Sequence, residues 1–217
     1  MTELDNNSRK ALEQIAEVKR VLVAIEHALK GNRPTTILCT SATTGEGKSL
    51  LMSSLATTSA LMGQSRAILI DLNWYRPAIH RFFGVELMHP LERFQNADLA
   101  DLALRPDGYE LDVLLAPTDH ETHERTSSEL LLIGQRLIEQ AKERYDLVLI
   151  DGGAIFPTNR MMMDPVMLAR MVDGVIMVVM SGVTARQSVK KACKALEISG
   201  VNIIGAVTNQ RGLSKNH

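Results

Sequence analysis

Lys48 and Ser49 close the stretch SATTGEGKS at residues 41–49, directly after the apolar run TTILCT. Two glycines spaced by one residue, then a lysine and a hydroxyl residue, suit a loop that wraps around phosphate. Gly45 and Gly47 allow backbone angles and a close approach that a side chain blocks. Successive N–H groups can then face anionic oxygens at a helix start, where the dipole favours negative charge. In such a loop Lys48 reaches the β- and γ-phosphates of ATP and the Ser49 hydroxyl ligates Mg2+. The full pattern is GxxxxGK[ST], and Ala42 stands at its first position. A methyl group there tightens the turn without removing a donor. Nucleotide contacts are expected from Thr44, Gly45, Glu46, Gly47, Lys48, Ser49 and Leu50, with Lys48 also catalytic.

Three other apolar runs end in polar residues suited to the same ligand. AILID ends at Asp71, whose carboxylate can orient a water or hydroxyl or support Mg2+, and Arg76 follows shortly. YDLVLIDGG ends at Asp151 after four apolar residues, the form of an acid that holds Mg2+ directly or through water. Gly152 and Gly153 leave room for backbone to approach the γ-phosphate. AVTNQR carries Asn209, whose amide can read a base edge. Ser49, Asp71 and Asp151 are thus the expected metal ligands, and Asp71 a catalytic group.

These residues can meet only if strands deliver them to one edge. Apolar runs near 36–41, 67–71, 112–116, 146–151, 174–180 and 202–207 read as strands. Helical patterns lie near 48–62, 127–144, 160–172 and 184–199. Strands apolar nearly throughout are buried on both faces, as in a parallel sheet flanked by helices. The expected fold is a doubly wound, mostly parallel α/β domain, whose ligands bind beyond the carboxyl ends of its strands. Residues 34–217 form this ATP-binding domain. Residues 1–33 form an N-terminal helical element in which Ala11, Ile15, Val18, Leu22, Ile25 and Leu29 make one narrow apolar stripe. That stripe packs either on its own domain or, as a docking or oligomerisation helix, on a partner or second copy. GNRP then stops the helix.

Composition narrows the function classes. The 217 residues are 45% hydrophobic and 23% charged with a net charge of −1, an ordinary globular balance that gives no reason to expect a nucleic-acid surface. Cys39 and Cys193 lie far apart in apolar settings, which suits a reducing compartment and argues against a disulfide or zinc framework. MTELDNNSRK lacks the order of a signal peptide, and no apolar run approaches the ~20 residues that span a bilayer. A cytoplasmic protein is expected, meeting the membrane only through a partner.

Other polar clusters have simpler readings. Asp119, His120 and His123 lack the spacing of a zinc helix and read as a solvated loop. Ser127 or Ser128 suits a helix cap. Met161–Met163, Met167 and Met171 read as a helix packed on the sheet, with a subunit contact for some of them as the alternative. Lys190, Lys191 and Lys194 form a basic group, either solvated or facing acidic lipid or a partner's acidic tail.

In its ordered motifs the chain resembles the MinD/ParA-type ATPases and, more closely, the bacterial tyrosine kinases of capsule and exopolysaccharide synthesis. GEGKS matches the kinase form of the loop, and Thr43 stands where partitioning ATPases carry a signature lysine. DLNWYRPAIHRFFG is similar to the kinases' DxDxRRPxxH segment through Asp71, Arg76, Pro77 and His80. YDLVLID and TARQSVKKACKALEISGVNIIGAVTN resemble their acidic strand and their last helix and strand. The resemblance implies Mg-ATP as cofactor, a membrane-anchored polysaccharide co-polymerase as partner, and homo-oligomeric rings that cycle with phosphorylation. Several positions depart from the family. Asn73 replaces the second acid of DxD, and GGAIF follows Asp151. Glu17 and Arg20 fit the family's ring-assembly helix, but Val23 replaces its second arginine. The chain ends QRGLSKNH without a tyrosine cluster, and Tyr75, Tyr109 and Tyr145 are its only tyrosines. Autophosphorylation is therefore not expected. Phosphoryl transfer to another chain's tyrosine or to water is the leading expectation. The alternatives are a MinD/ParA-type positioning ATPase and a non-catalytic, ATP-gated adaptor of the co-polymerase.

Overall fold

A computed structural model describes residues 3–31, 33–63, 65–119, 126–156 and 162–210, with the side chains of the first helix described from Ala16 onward. Helix α1 (Glu3–Ala28) leads into β1 (Thr35–Ser41), α2 (Lys48–Met62), β2 (Ala67–Asp71) and three short helices, α3 (Ile79–Phe83), α4 (Leu91–Asn96) and α5 (Leu99–Leu102). The chain continues through β3 (Asp112–Leu114), α6 (Ser127–Arg144), β4 (Leu147–Ala154), α7 (Pro165–Ala169), β5 (Gly174–Met180), α8 (Arg186–Ile198) and β6 (Ile203–Asn209).

The six strands form one sheet in the order β3-β2-β4-β1-β5-β6, and every strand pair in it is parallel. Every residue of β1, β2 and β4 is buried, because helices cover both faces. The period of two in a strand divides the core accordingly. Leu38, Ile68, Ile70, Val148 and Ile150 point into the layer of α6, α7 and α8, while Ile37, Cys39, Leu69 and Leu149 face α1 and α2. Leu22, Ile25 and Leu29 of α1 are buried in that second layer. At about 1.5–3 kcal/mol per buried side chain before ordering entropy, the three hold α1 on its own domain. Ala11 and Ile15 of the predicted stripe lie outside the described side chains.

The differences from the sequence reading have local causes. The helix expected over 160–172 is only Pro165–Ala169: Asp164 caps it by accepting from Val166 N at 2.8 Å, and Pro165 fixes its first turn. Helix α6 is capped not by Ser127 or Ser128 but by Thr126, which forms a reciprocal capping box with Glu129. The third strand ends at Leu114 rather than 116. The segment from Ile79 to Leu102, without a long periodic pattern, folds into three short helices around Phe94, Leu91 and Leu99. His120, His123 and Met161 lie outside the described residues.

Candidate functional site

The carboxyl ends of β1, β2, β4, β5 and β6 meet at one edge, and a cleft of about 660 Å3 opens there. One wall is the loop after β1. Gly45 and Gly47 take positive φ values of 83° and 96°, so the loop curls before α2 begins at Lys48. A Cβ on Gly47 would collide with Asn209 Nδ2. Glycine is thus required by both conformation and space. Thr44, Gly45, Gly47, Lys48, Ser49, Leu50 and Asn209 all line the cleft.

Glu46 behaves differently from its neighbours. Its side chain is 2% exposed and turned into the protein. There Oε1 accepts from Thr43 N at 2.7 Å and Thr43 Oγ1 at 2.6 Å, and Oε2 accepts from Met180 N at 3.2 Å. Asn209 Nδ2 donates to Glu46 O at 3.0 Å. The loop is therefore pinned to the ends of β5 and β6 through a buried carboxylate and an amide. Lys48 donates through Nζ to Ser41 Oγ at 3.0 Å, and Ser41 Oγ in turn donates to Thr43 O at 2.6 Å. Ser41 thus aims the lysine, a role its place as a buried strand residue did not announce.

Asp151 and Asp71 sit side by side in the β2–β4 register, and both are fully buried. Asp151 Oδ2 accepts from Ser49 Oγ at 2.5 Å, while its Oδ1 is buried without a hydrogen-bond partner. Burial pushes the Asp151 carboxyl above the ordinary range, and the Ser49 hydroxyl and the Lys48 ammonium partly offset that. Asp71 accepts from the N–H groups of Asn73, Ala78 and Ile79 at 3.1, 3.3 and 3.3 Å. Burial and the charge of Asp151 raise its pKa, and those three donors resist the rise. Asp71 thus serves as the anchor of the turn it opens, besides standing beside Asp151.

That turn forms the opposite wall of the cleft, with Asn73, Tyr75, Arg76, Pro77, His80, Arg81 and Phe82. Asn73 does not face the ligand space as a free amide, because its Nδ2 donates to Arg76 O at 3.0 Å. Arg81, Phe82, Leu87 and Met162 also reach the cleft. Leu87 belongs to no short motif, Met162 reads in sequence as sheet packing, and Arg81 and Phe82 follow the matched residues of DLNWYRPAIHRFFG.

The donor set suits a hard divalent cation beside a nucleotide. A buried carboxylate oxygen without a partner is costly unless a cation or donor meets it, and the Ser49 hydroxyl lies next to it. Among the described residues no group of three or more His, Cys, Asp or Glu side chains could hold a metal ion. An ion here needs oxygens from phosphate and water as well, which is the habit of Mg2+. Cys39, in register with Asp151, has its thiol pushed up by burial and is inert.

No protein-family model matches the chain. It is 28% identical over 202 residues to the tyrosine-protein kinase YwqD of Bacillus subtilis, covering 92% of this chain and 82% of that protein. Several of the proteins it matches are named bacterial tyrosine kinases. To the kinase etk of Escherichia coli the chain is 26% identical over 209 residues, and to the succinoglycan biosynthesis transport protein ExoP of Rhizobium meliloti 25% over 201. These matches take in 95% and 89% of this chain but only 27% and 24% of those longer proteins. Among solved structures, the kinase domain of Escherichia coli ETK superposes with a TM-score of 0.75 at 24% identity, over 90% of this chain and 74% of that one. MinD of Pyrococcus horikoshii, solved with Mg-ADP, gives 0.67 at 21% identity, over 83% and 72%. The fold is that of the phosphate-loop kinases and ATPases, with the Lys48 loop at the start of its α2.

Proposed function

We propose that the chain binds Mg-ATP in the cleft between the Lys48 loop and the Asp71 turn, and transfers the γ-phosphate to a protein tyrosine. The observation that carries this reading is the pairing of Ser49 with Asp151, whose second carboxylate oxygen lies buried without a donor beside Lys48. In this reading the N–H groups of Thr44 to Leu50 cradle the phosphates and Lys48 holds the β- and γ-phosphates. Ser49 and Asp151 hold Mg2+, which would neutralise charge on the transferring group. Asp71 stands behind Asp151, sharing the negative charge that favours the ion, and fixes the turn that carries Arg76. Asn209, whose amide nitrogen holds the loop at Glu46 O, would also meet the base.

The similarity to ExoP and to the named kinases supports a role in exopolysaccharide or capsule assembly, beside the cytoplasmic segment of a membrane-anchored co-polymerase. The chain would act at the inner face of the membrane and reach it through that partner. Residues 1–33 would serve as an appended helix for docking or self-association on the ATP-binding domain of 34–217. The exposed side chains of Val23 and Leu61, 57% and 82% accessible, are consistent with such contacts.

A second reading, transfer of the phosphate to water, is favoured by Asn73. Its amide cannot take a proton from an acceptor hydroxyl, and it is engaged by Arg76 O. A single-turnover assay with γ-labelled ATP, with and without the co-polymerase segment, separates the two. Phosphate on protein tyrosine supports the kinase and free phosphate the hydrolase. Neither product, or undiminished ATP binding by Lys48→Ala, overturns both.

A further inference from the structure

The two edges of the sheet are protected unequally. Strand β3 is three residues long, and Leu104 bridges to Val113 along it. Strand β6, IIGAVTN, runs for seven residues, pairs with β5 alone among the described residues, and contains neither a charge nor a proline. Gly205, Ala206 and Thr208 are exposed. Exposed strand edges are ordinarily blunted by charge, proline or a cover, because their backbone groups recruit another strand. Among the described residues this edge carries none of those guards.

Helix α8 packs over β5, and a groove of about 540 Å3 lies beside it, lined by α8 and the end of β5 with Thr208 from β6. Arg186, Lys190 and Lys194 line it at four-residue spacing, which puts them on one face of the helix. Among the described residues none of the three is in an ion pair of 4.0 Å or less. Glu197 is the one acid in the lining, and Thr208 contributes from β6. Three cations along an unguarded strand edge call for an extended chain that carries carboxylates. A second copy pairing edge to edge would bring two cationic α8 faces together. Residues 211–217 include Arg211 and Lys215 and no acid, so charge does not favour that segment either.

We propose that the groove between α8 and the free edge of β6 is a docking site for an extended acidic segment of a partner protein. The segment adds as a strand to β6, with carboxylates on one side meeting Arg186, Lys190 and Lys194. The site adjoins the nucleotide cleft at Met180, which lines both, but does not depend on its chemistry.

The test is fluorescence anisotropy at low salt, with the full chain and a labelled ten-residue peptide of alternating Val and Glu. Saturable binding is expected, at least tenfold weaker for K190E/K194E, with ADP binding the same in both proteins. The same peptide carrying Lys in place of Glu should not bind, and N-methylation of alternate amides should abolish binding if a strand is added. Equal binding by K190E/K194E, by the Lys peptide or by the N-methylated peptide overturns the proposal, as does no binding at all. Capture by phosphatidylserine vesicles without peptide binding assigns the basic face to a membrane and also overturns it.

Discussion

Asp71 and Asp151 are partners in the β2–β4 register, and neither exposes any surface to solvent. Two carboxyls so placed cannot both ionise cheaply without a cation. Burial raises the folded-state pKa of both above the ordinary carboxylate value, and the charge of Asp151 raises that of Asp71 further. Where the folded value exceeds the unfolded one, the stabilisation is fully present below the unfolded pKa and is lost as pH rises through the folded one. Without Mg2+, thermal stability should fall between pH 5 and 8. The melting temperature of the metal-free protein should therefore decline across that range. Asp71→Asn should flatten the slope. An unchanged slope in that variant would mean that other groups set it.

Mg2+ should reverse that dependence. Binding an ion at Ser49 and Asp151 ionises the pair and releases protons. The rise in melting temperature on adding Mg-ADP should be larger at pH 8 than at pH 6. Ser49→Ala should remove most of the Mg2+-dependent part while leaving the metal-free fold intact. Calorimetry in two buffers of different ionisation enthalpy measures the proton release directly.

Gly47→Ala should abolish nucleotide binding and cost about 1–3 kcal/mol, because positive φ and the approach of Asn209 both exclude a side chain. The double variant Gly47→Ala/Asn209→Ser should recover stability only in part, since trimming Asn209 relieves the collision and leaves the backbone strain. Full recovery would mean that the collision alone mattered. Chemical denaturation of the four proteins in the cycle decides this.

Glu46→Ala leaves the Thr43 N–H and hydroxyl without their acceptor and removes one of the two acceptors of Met180 N–H, which also donates to Thr184 Oγ1. A loss of about 2–4 kcal/mol is expected, with ADP affinity at least tenfold weaker. Glu46→Gln keeps one acceptor oxygen and should fall between. If Glu46→Ala binds ADP normally, the clamp is not what shapes the loop.

Asn73→Asp should raise single-turnover phosphoryl transfer, because it supplies a second carboxylate near the reacting groups. It should also lower stability by about 1 kcal/mol, since the new carboxylate faces Arg76 O where an amide had donated. A faster enzyme of lower melting temperature is the expected combination. Unchanged turnover would show that the position is irrelevant to transfer.

The sheet was legible because its strands are near-continuous apolar runs, and a run such as LVLID announces both a buried strand and the acid at its end. The loop was legible from Gly45, Gly47, Lys48 and Ser49, whose chemistry is local. What stayed hidden was pairing between distant segments. Glu46 reads as a loop residue beside phosphate, and only the meeting of the loop with the end of β5 shows its carboxylate buried on Met180 N. Asn73 reads as a weakened acid, and only the turn shows its amide tied to Arg76 O. Helices α3, α4 and α5 were missed because four to six residues carry too little periodicity to register. Thr126 was passed over as a cap because two serines follow it and the reciprocal bond from Glu129 cannot be seen in one dimension.

The Glu46 clamp bears on how quickly the cleft can capture a nucleotide. A glycine-rich loop with no internal anchor samples many shapes, and a ligand then has to wait for, or impose, the receptive one. Here Thr43, Glu46, Met180 and Asn209 fix the shape when the chain folds, so the ordering entropy is met before any nucleotide arrives. Capture should therefore be a single-step encounter whose rate is set by diffusion into the cleft. The loop is a mould cast by the fold rather than a hand that closes.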